Sequence, residues 1–263
     1  MKDWRKHLNT RYGPWAVVTG ASSGIGYEMA LRLAEAGLNL ILVARSQKVL
    51  EQMAADLPAR YGIEVQAIEM DLGNETSLER LVAKTTHLDI GLLVASAGFG
   101  TSGLFINSQL EQEIEMLNVN CRALLGVCWH FGKQFARQGR GGMVLMSSIV
   151  GFQGMPFAAH YAATKAYVHT LAEALYVELT PMGVDVIASA PGPTQSGFAA
   201  RAGMKMGKAL SAREVARSTL NALGQKSVVL PGLLSKVLTY SLVPLPRWVR
   251  VRIMGSVMRS MTK

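Results

Sequence analysis

Tyr161 and Lys165 stand four residues apart in the alanine-rich run HYAATKAYV, residues 160 to 168. On a helix that spacing sends both side chains from one face, one turn apart. A phenol beside an ammonium can be an accident of a helix surface. It can also be a proton-transfer device, in which the lysine's field lowers the phenol's pKa and makes Tyr161 a donor or acceptor near neutrality. The spacing alone does not choose, so the surrounding elements have to.

A second constellation lies near the start of the chain, where the apolar run WAVVTG leads into TGASSGIG. Gly20, Gly24 and Gly26 follow a predicted strand and open a predicted helix. Ser22, Ser23 and Ile25 complete the turn. Backbone N–H groups at such a junction face a diphosphate without side-chain obstruction. The next strand, LNLILVAR, ends in Ala44 and Arg45, where a carboxylate would otherwise hold a ribose 2′-hydroxyl. A guanidinium suits a 2′-phosphate, so NADP(H) is the expected cofactor; a plain surface arginine is the alternative for Arg45. Asp71 and Leu72 close the third strand, Ala97 and Gly98 the fourth. Asp71 could accept from an adenine amino group or cap its own turn.

The elements that must position these residues read as alternating strands and helices from residue 15 to 94. The pattern continues with a helix over 108 to 137, the strand GMVLMSS, a helix from about 158 to 181 and the strand VDVIASAPGP. Short apolar runs between helical stretches are the mark of buried parallel strands under covering helices. The expected fold is α/β, a Rossmann-type doubly wound parallel sheet in three layers, with residues 1–263 forming one domain. Residues 211–263 add a helix capped by Ser211, a last short strand, SVVLPG, and a basic apolar tail. The polar N-terminus, MKDWRKHLNTRYG, reads as running straight into the first strand with no secretory signal, so the expected location is cytoplasmic.

The motifs together resemble the short-chain dehydrogenase/reductase family, over roughly residues 14 to 200. TGASSGIG is its cofactor turn, the SS pair supplies Ser148, YAATK supplies Tyr161 and Lys165, NVN supplies Asn120, and PGPTQS closes on the nicotinamide. The last motif brings Pro191, Gly192, Thr194 and Ser196 to the cofactor, Ser196 standing where the family more often has threonine. The resemblance implies reduction of a ketone or aldehyde to an alcohol by hydride transfer, on the steroid and 3-oxoacyl reductase branch. Tyr161 would exchange the proton, Ser148 hydrogen-bond the substrate oxygen, Lys165 hold the nicotinamide ribose, and Asn120 hold a water joining the lysine to solvent. A homodimer or homotetramer through the helices of 108–137 and 158–181 is also implied. One departure stands out: ASAG, residues 95 to 98, replaces the family's NNAG, leaving a hydroxyl at Ser96 and putting local cofactor contacts in question. A catalytically idle NADP(H)-binding regulator or scaffold is the alternative, since fold does not establish turnover.

The other residues have plainer readings. His160 and His169 flank the pair but are expected to be structural or solvated, with no metal ligated. Met155, Phe157, Phe198, Met204 and Met206 are candidates for an apolar substrate pocket. Cys121 and Cys128, seven apart, read as buried reduced thiols. The net charge of +9 is lopsided, because no acidic residue follows Glu214 while eight basic ones do. That excludes a nucleic-acid groove across the fold. It leaves a tail that packs on its own domain or a partner subunit, or one that makes peripheral membrane contact as a basic amphipathic segment.

Overall fold

The computed structural model describes residues 4–198, 202–203 and 209–261. The apolar runs become the parallel strands β1 (Trp15–Thr19), β2 (Asn39–Ala44), β3 (Val65–Glu69), β4 (Ile90–Ala95), β5 (Gly141–Met146) and β6 (Val184–Ser189). A two-residue pair, β7 (Thr194–Gln195) with β8 (Leu210–Ser211), stands apart, and β9 (Val228–Val229) completes a seven-stranded sheet. Its order is β3-β2-β1-β4-β5-β6-β9, parallel at every pairing. Every residue of β1, β4 and β5 is buried, as expected of central strands covered on both faces, whereas β3 at the edge is only partly covered.

Two separate cores lie against the two faces. One is built with α2 (Gly24–Glu35), α3 (Gln47–Tyr61) and α8 (Ala212–Ala222), the other with α4 (Ser77–Thr85), α6 (Leu124–Gln138) and α7 (Ala159–Leu179). This is the expected three-layer, doubly wound sheet. Winding reverses between β1 and β4, which opens a crevice at their carboxyl ends.

Two elements depart from the sequence reading. The polar N-terminus forms a helix, α1 (Trp4–Tyr12), instead of leading directly into β1. Leu8 and Tyr12, one turn apart, are its only buried residues, too short a stripe to read from periodicity. Tyr12 donates to Asp185 at 2.8 Å, and the Arg32 guanidinium lies 3.6 Å from the Trp4 ring centre, so contacts far along the chain hold α1. The single helix expected over 108 to 137 is instead α5 (Leu110–Leu117) and α6, joined by a π-helical turn, Asn118–Ala123. Such turns recur at functional sites, and this one carries Asn120.

The tail follows one of the two courses expected for it, packing on its own domain. Ser211 caps α8 in a reciprocal capping box with Glu214. Then α9 (Gly232–Tyr240) and α10 (Arg247–Met261) fold back over the carboxyl edge of the sheet. Met254 and Met258 of α10 are buried with Met155, Ala158 and Tyr161, so the tail packs on its own chain.

Candidate active site

A cleft of about 710 Å³ lies along the carboxyl edge of the sheet and brings the two sequence constellations together. Its lining includes all the residues expected at the cofactor from Gly20 to Ser196, together with Ser148, Tyr161 and Lys165. Asn120 stands just behind the wall.

At one end the turn must be glycine on steric grounds. Gly20 has φ +68°, and a Cβ there would lie 2.8 Å from the Ala97 backbone. A Cβ on Gly26 would lie 2.4 Å from the Gly20 carbonyl oxygen, so α2 can start this close to β1 only without a side chain. Ser23 takes the N-cap position of α2, with extended backbone and no side-chain cap bond. The ASAG departure is met by Thr19, whose buried Oγ1 accepts from Ser96 N and Ala97 N at 3.1 and 3.2 Å. One threonine thus ties the ends of β1 and β4 together without the asparagine side chains. Asp71 caps its own turn, accepting from Gly73 N at 2.8 Å, and also faces the cleft. Arg45 is half-exposed at the cleft's end and pairs with Glu115 of α5 at 3.4 Å.

Ser148, Tyr161 and Lys165 meet where β5 ends and α7 begins. The Tyr161 phenol and the Ser148 hydroxyl both line the cleft here; Ser148 Oγ donates to the Pro191 carbonyl oxygen and accepts from Val150 N, both at 3.4 Å. Lys165 Nζ donates to the Met146 carbonyl oxygen at 2.8 Å, and Ser147 Oγ, buried, donates to the Lys165 carbonyl oxygen at 2.9 Å. Asn120 is buried: Oδ1 accepts from Phe99 N at 3.1 Å, while Nδ2 donates to Phe99 O and Thr164 Oγ1 at 2.8 and 3.0 Å. A Cβ on Gly98 would lie 2.9 Å from Asn120 Oδ1 and 3.3 Å from Lys165 Nζ. Gly98 is therefore the gap through which these two polar groups reach the cleft.

The expected electrostatic link between the pair is not what the protein's own groups produce. Burial pushes the Tyr161 phenol up, and the neighbouring Ser148 hydroxyl only partly counters it. Burial also pulls Lys165 down to about 8. The ammonium is aimed at the Met146 carbonyl and lies 5.8 Å from the phenol ring centre. Desolvation thus outweighs the lysine's field on the phenol. At pH 7 the site holds a neutral phenol next to a lysine that is still largely charged.

The sequence profile of short chain dehydrogenases matches residues 14–206. The chain belongs to this family. It is 32% identical over 188 residues to a 7beta-hydroxysteroid dehydrogenase of Clostridium sardiniense, covering 72% of each chain. It is 34% identical over 179 residues to a very-long-chain 3-oxoacyl-CoA reductase of Podospora anserina, a match to 66% of this chain and 53% of that protein. Among solved structures it resembles a short-chain dehydrogenase from Sphingobium yanoikuyae in complex with NADPH, with a TM-score of 0.81, 31% identity and coverage of 88% and 93% of the two chains. The protein is thus an oxidoreductase of the steroid and 3-oxoacyl reductase branch.

This dehydrogenase also uses residues that carry no motif signal. Gly100 lies flat against the Tyr161 ring, where a Cβ would come within 2.9 Å. Phe198 packs on the same ring, with centres 5.2 Å apart, and its edge also meets Gly100. Met155 and Phe198 line the cleft as expected; Phe157, at φ +64°, packs behind them, and Met204 and Met206 lie outside the described residues. Leu238, Leu242, Met254 and Met258 of the tail were not candidates, yet they form much of the apolar wall. Nothing in their local sequence marks them, because they reach the cleft only when α9 and α10 fold back.

Both histidines have protein partners. His160 Nδ1 lies 2.7 Å from buried Glu113, and His169 meets Phe152 edge to face and lies 3.6 Å from Glu173. Cys121 and Cys128 are buried free thiols, and burial pushes Cys128 up to about 12.

Proposed function

We propose that this chain is an NADPH-dependent carbonyl reductase that converts a ketone or aldehyde with an apolar body to the alcohol. The observation that carries this reading is the convergence of Ser148, Tyr161 and Lys165 in the cleft that also contains the glycine turn. The residues present fit a dinucleotide. The α2 N-terminus and side-chain-free Gly20, Gly24 and Gly26 suit a diphosphate, and Arg45, with no carboxylate at Ala44, suits a 2′-phosphate. A related structure in complex with NADPH supports the same choice.

When bound, the nicotinamide supplies the hydride. The protein's part is to place the substrate oxygen and deliver a proton to it. Ser148 and Tyr161, which line the same part of the cleft, present two hydroxyls to one oxygen, so Ser148 stabilises the charge that develops there while Tyr161 donates its proton. The raised pKa keeps Tyr161 protonated at neutral pH, which favours the reducing direction. Lys165 holds its charge at the tyrosine's flank from its anchor on Met146 O. We assign Asn120 to positioning: its amide locks the turn after β4 to α7 through Phe99 and Thr164. One Oδ1 lone pair remains for a water beside Lys165.

The substrate end is lined by Val150, Met155, Phe198, Leu242, Met254 and Met258, which suits a bulky apolar ketone, and one relative is named for a hydroxysteroid. We also infer a homodimer or homotetramer through the outer faces of α5 to α7, where Leu117, Leu125 and Tyr167 line an exposed apolar groove. The test of the activity is direct. The full chain should oxidise NADPH with bulky apolar ketones, and Tyr161→Phe should retain NADPH binding without turnover. Unchanged turnover in that variant would remove the mechanism, and no binding of either NADPH or NADH would remove the reading.

A further inference from the structure

The two tail helices show the cleft one face and the outside another, and the outer face is unlike an ordinary water-exposed surface. On α9, Leu233, Val237 and Tyr240 form a stripe at i, i+4 and i+7, exposed by 77%, 53% and 64%. Trp248 at the start of α10 is 62% exposed, with the Arg252 guanidinium 5.1 Å from its ring centre. Lys236 sits within the α9 stripe, and Arg247 precedes Trp248. No acidic residue follows Glu214, so this face mixes aromatic and aliphatic side chains with positive charge alone.

We propose that the α9–α10 face docks on an anionic lipid bilayer with the mouth of the substrate cleft turned toward it. The charge pattern selects this occupant over a second copy of the chain. A twofold contact through this face would set arginine against arginine, whereas anionic headgroups attract every charge on it. Aromatic and aliphatic side chains interleaved with Lys and Arg are what an interfacial helix buries at the headgroup boundary. No helix among the described residues is long and apolar enough to cross a membrane, so the contact is peripheral.

The cleft opens on the same face. Ser241 and Ile253 are exposed and also line the cleft, so they form its rim, and Leu238, Leu242 and Met254 continue the wall inward. An apolar substrate dissolved in the bilayer would pass from lipid to the Tyr161 end of the cleft without crossing water. This route of entry rests on the carbonyl reductase reading; the docking itself does not.

Flotation of the full chain with vesicles tests the docking without any turnover. Phosphatidylcholine vesicles containing about one-fifth phosphatidylserine should carry the protein, and pure phosphatidylcholine should carry far less. Raising salt from about 0.05 M to about 0.5 M should release it. The double variant Lys236→Glu with Arg252→Glu should reduce partition roughly 25-fold or more, at about fivefold per basic residue removed. Leu233→Ser with Val237→Ser should also reduce it, and the binding that remains should still be released by salt. All four positions are exposed, so melting temperature and NADPH affinity should hold, and both are measured alongside. Absence of flotation with anionic vesicles would overturn the proposal, as would flotation unaffected by the variants. Variants that lower the mass in light scattering while leaving vesicle binding unchanged would assign the face to a second copy instead. Failure of NADPH binding would count against the reductase reading alone.

Discussion

The two ends of the cleft are made in different ways. The end with the glycine turn, Ser148 and Lys165 is built from strand termini and held by short polar ties. Thr19 joins β1 to β4, Lys165 reaches Met146 O, and Asn120 bonds both polar groups of Phe99. The other end is a wall of methionine, leucine and phenylalanine side chains, much of it from helices α9 and α10, roughly 80 to 100 residues beyond Tyr161 in the sequence. Hydrogen bonds have narrow geometric tolerance, whereas apolar contacts accept many shapes. The first end therefore suits a fixed chemistry and the second a variable substrate body.

Substitutions at the two ends should accordingly fail in different ways. The largest effect is expected at the polar end, where Tyr161→Phe should lower kcat by ~10²–10⁴-fold while leaving NADPH affinity within a few-fold. Steady-state kinetics and a binding titration check the two halves separately. Arg45→Asp should weaken NADPH by roughly 10- to 100-fold, the worth of a charge-assisted hydrogen bond, and favour NADH. Equal loss for both nucleotides would mean that Arg45 holds the adenosine end through Glu115 instead.

A pH profile sharpens the contrast further, since only the polar end titrates. With Lys165 lowered to about 8, kcat/KM for reduction should hold below pH 8 and fall roughly tenfold per unit above it. A flat profile to pH 9.5 would deny the ammonium a role. The same shift bears on stability. Between about 8 and the ordinary lysine value of 10.5 the unfolded chain binds the extra proton. The cost of burying Lys165 is therefore fully present below pH 8, and stability gains as pH rises through that window. Lys165→Met should raise the melting temperature at pH 7, and the gain should shrink by pH 10.

The smallest effects belong to the apolar end. Met254→Ala should cost about 2 kcal/mol in chemical denaturation, at the low end for a buried methionine. It should raise KM for a bulky ketone several-fold, with NADPH affinity unchanged. Loss of NADPH affinity in that variant would show that the two ends are coupled through Tyr161 and Phe198, whose rings are in contact.

What could be read along the chain follows the same division. The sheet was legible because each buried strand is a contiguous apolar run, and the motifs because TGASSGIG and YAATK sit at junctions where their spacing has physical meaning. The π turn at Asn118–Ala123 was not, since one extra residue in a helical turn leaves no periodic mark. Nor was α1, whose stability lies in Tyr12 reaching Asp185.

By itself the sequence determined the wound sheet, the glycine turn and the one-turn spacing of Tyr161 and Lys165, because each rests on local patterns of size and polarity. Only the tertiary structure decided that the phenol is raised instead of lowered, because burial depends on what folds over a side chain. For the same reason it alone brought Met254 and Met258 to the cleft and left Leu233, Val237 and Trp248 on the outside.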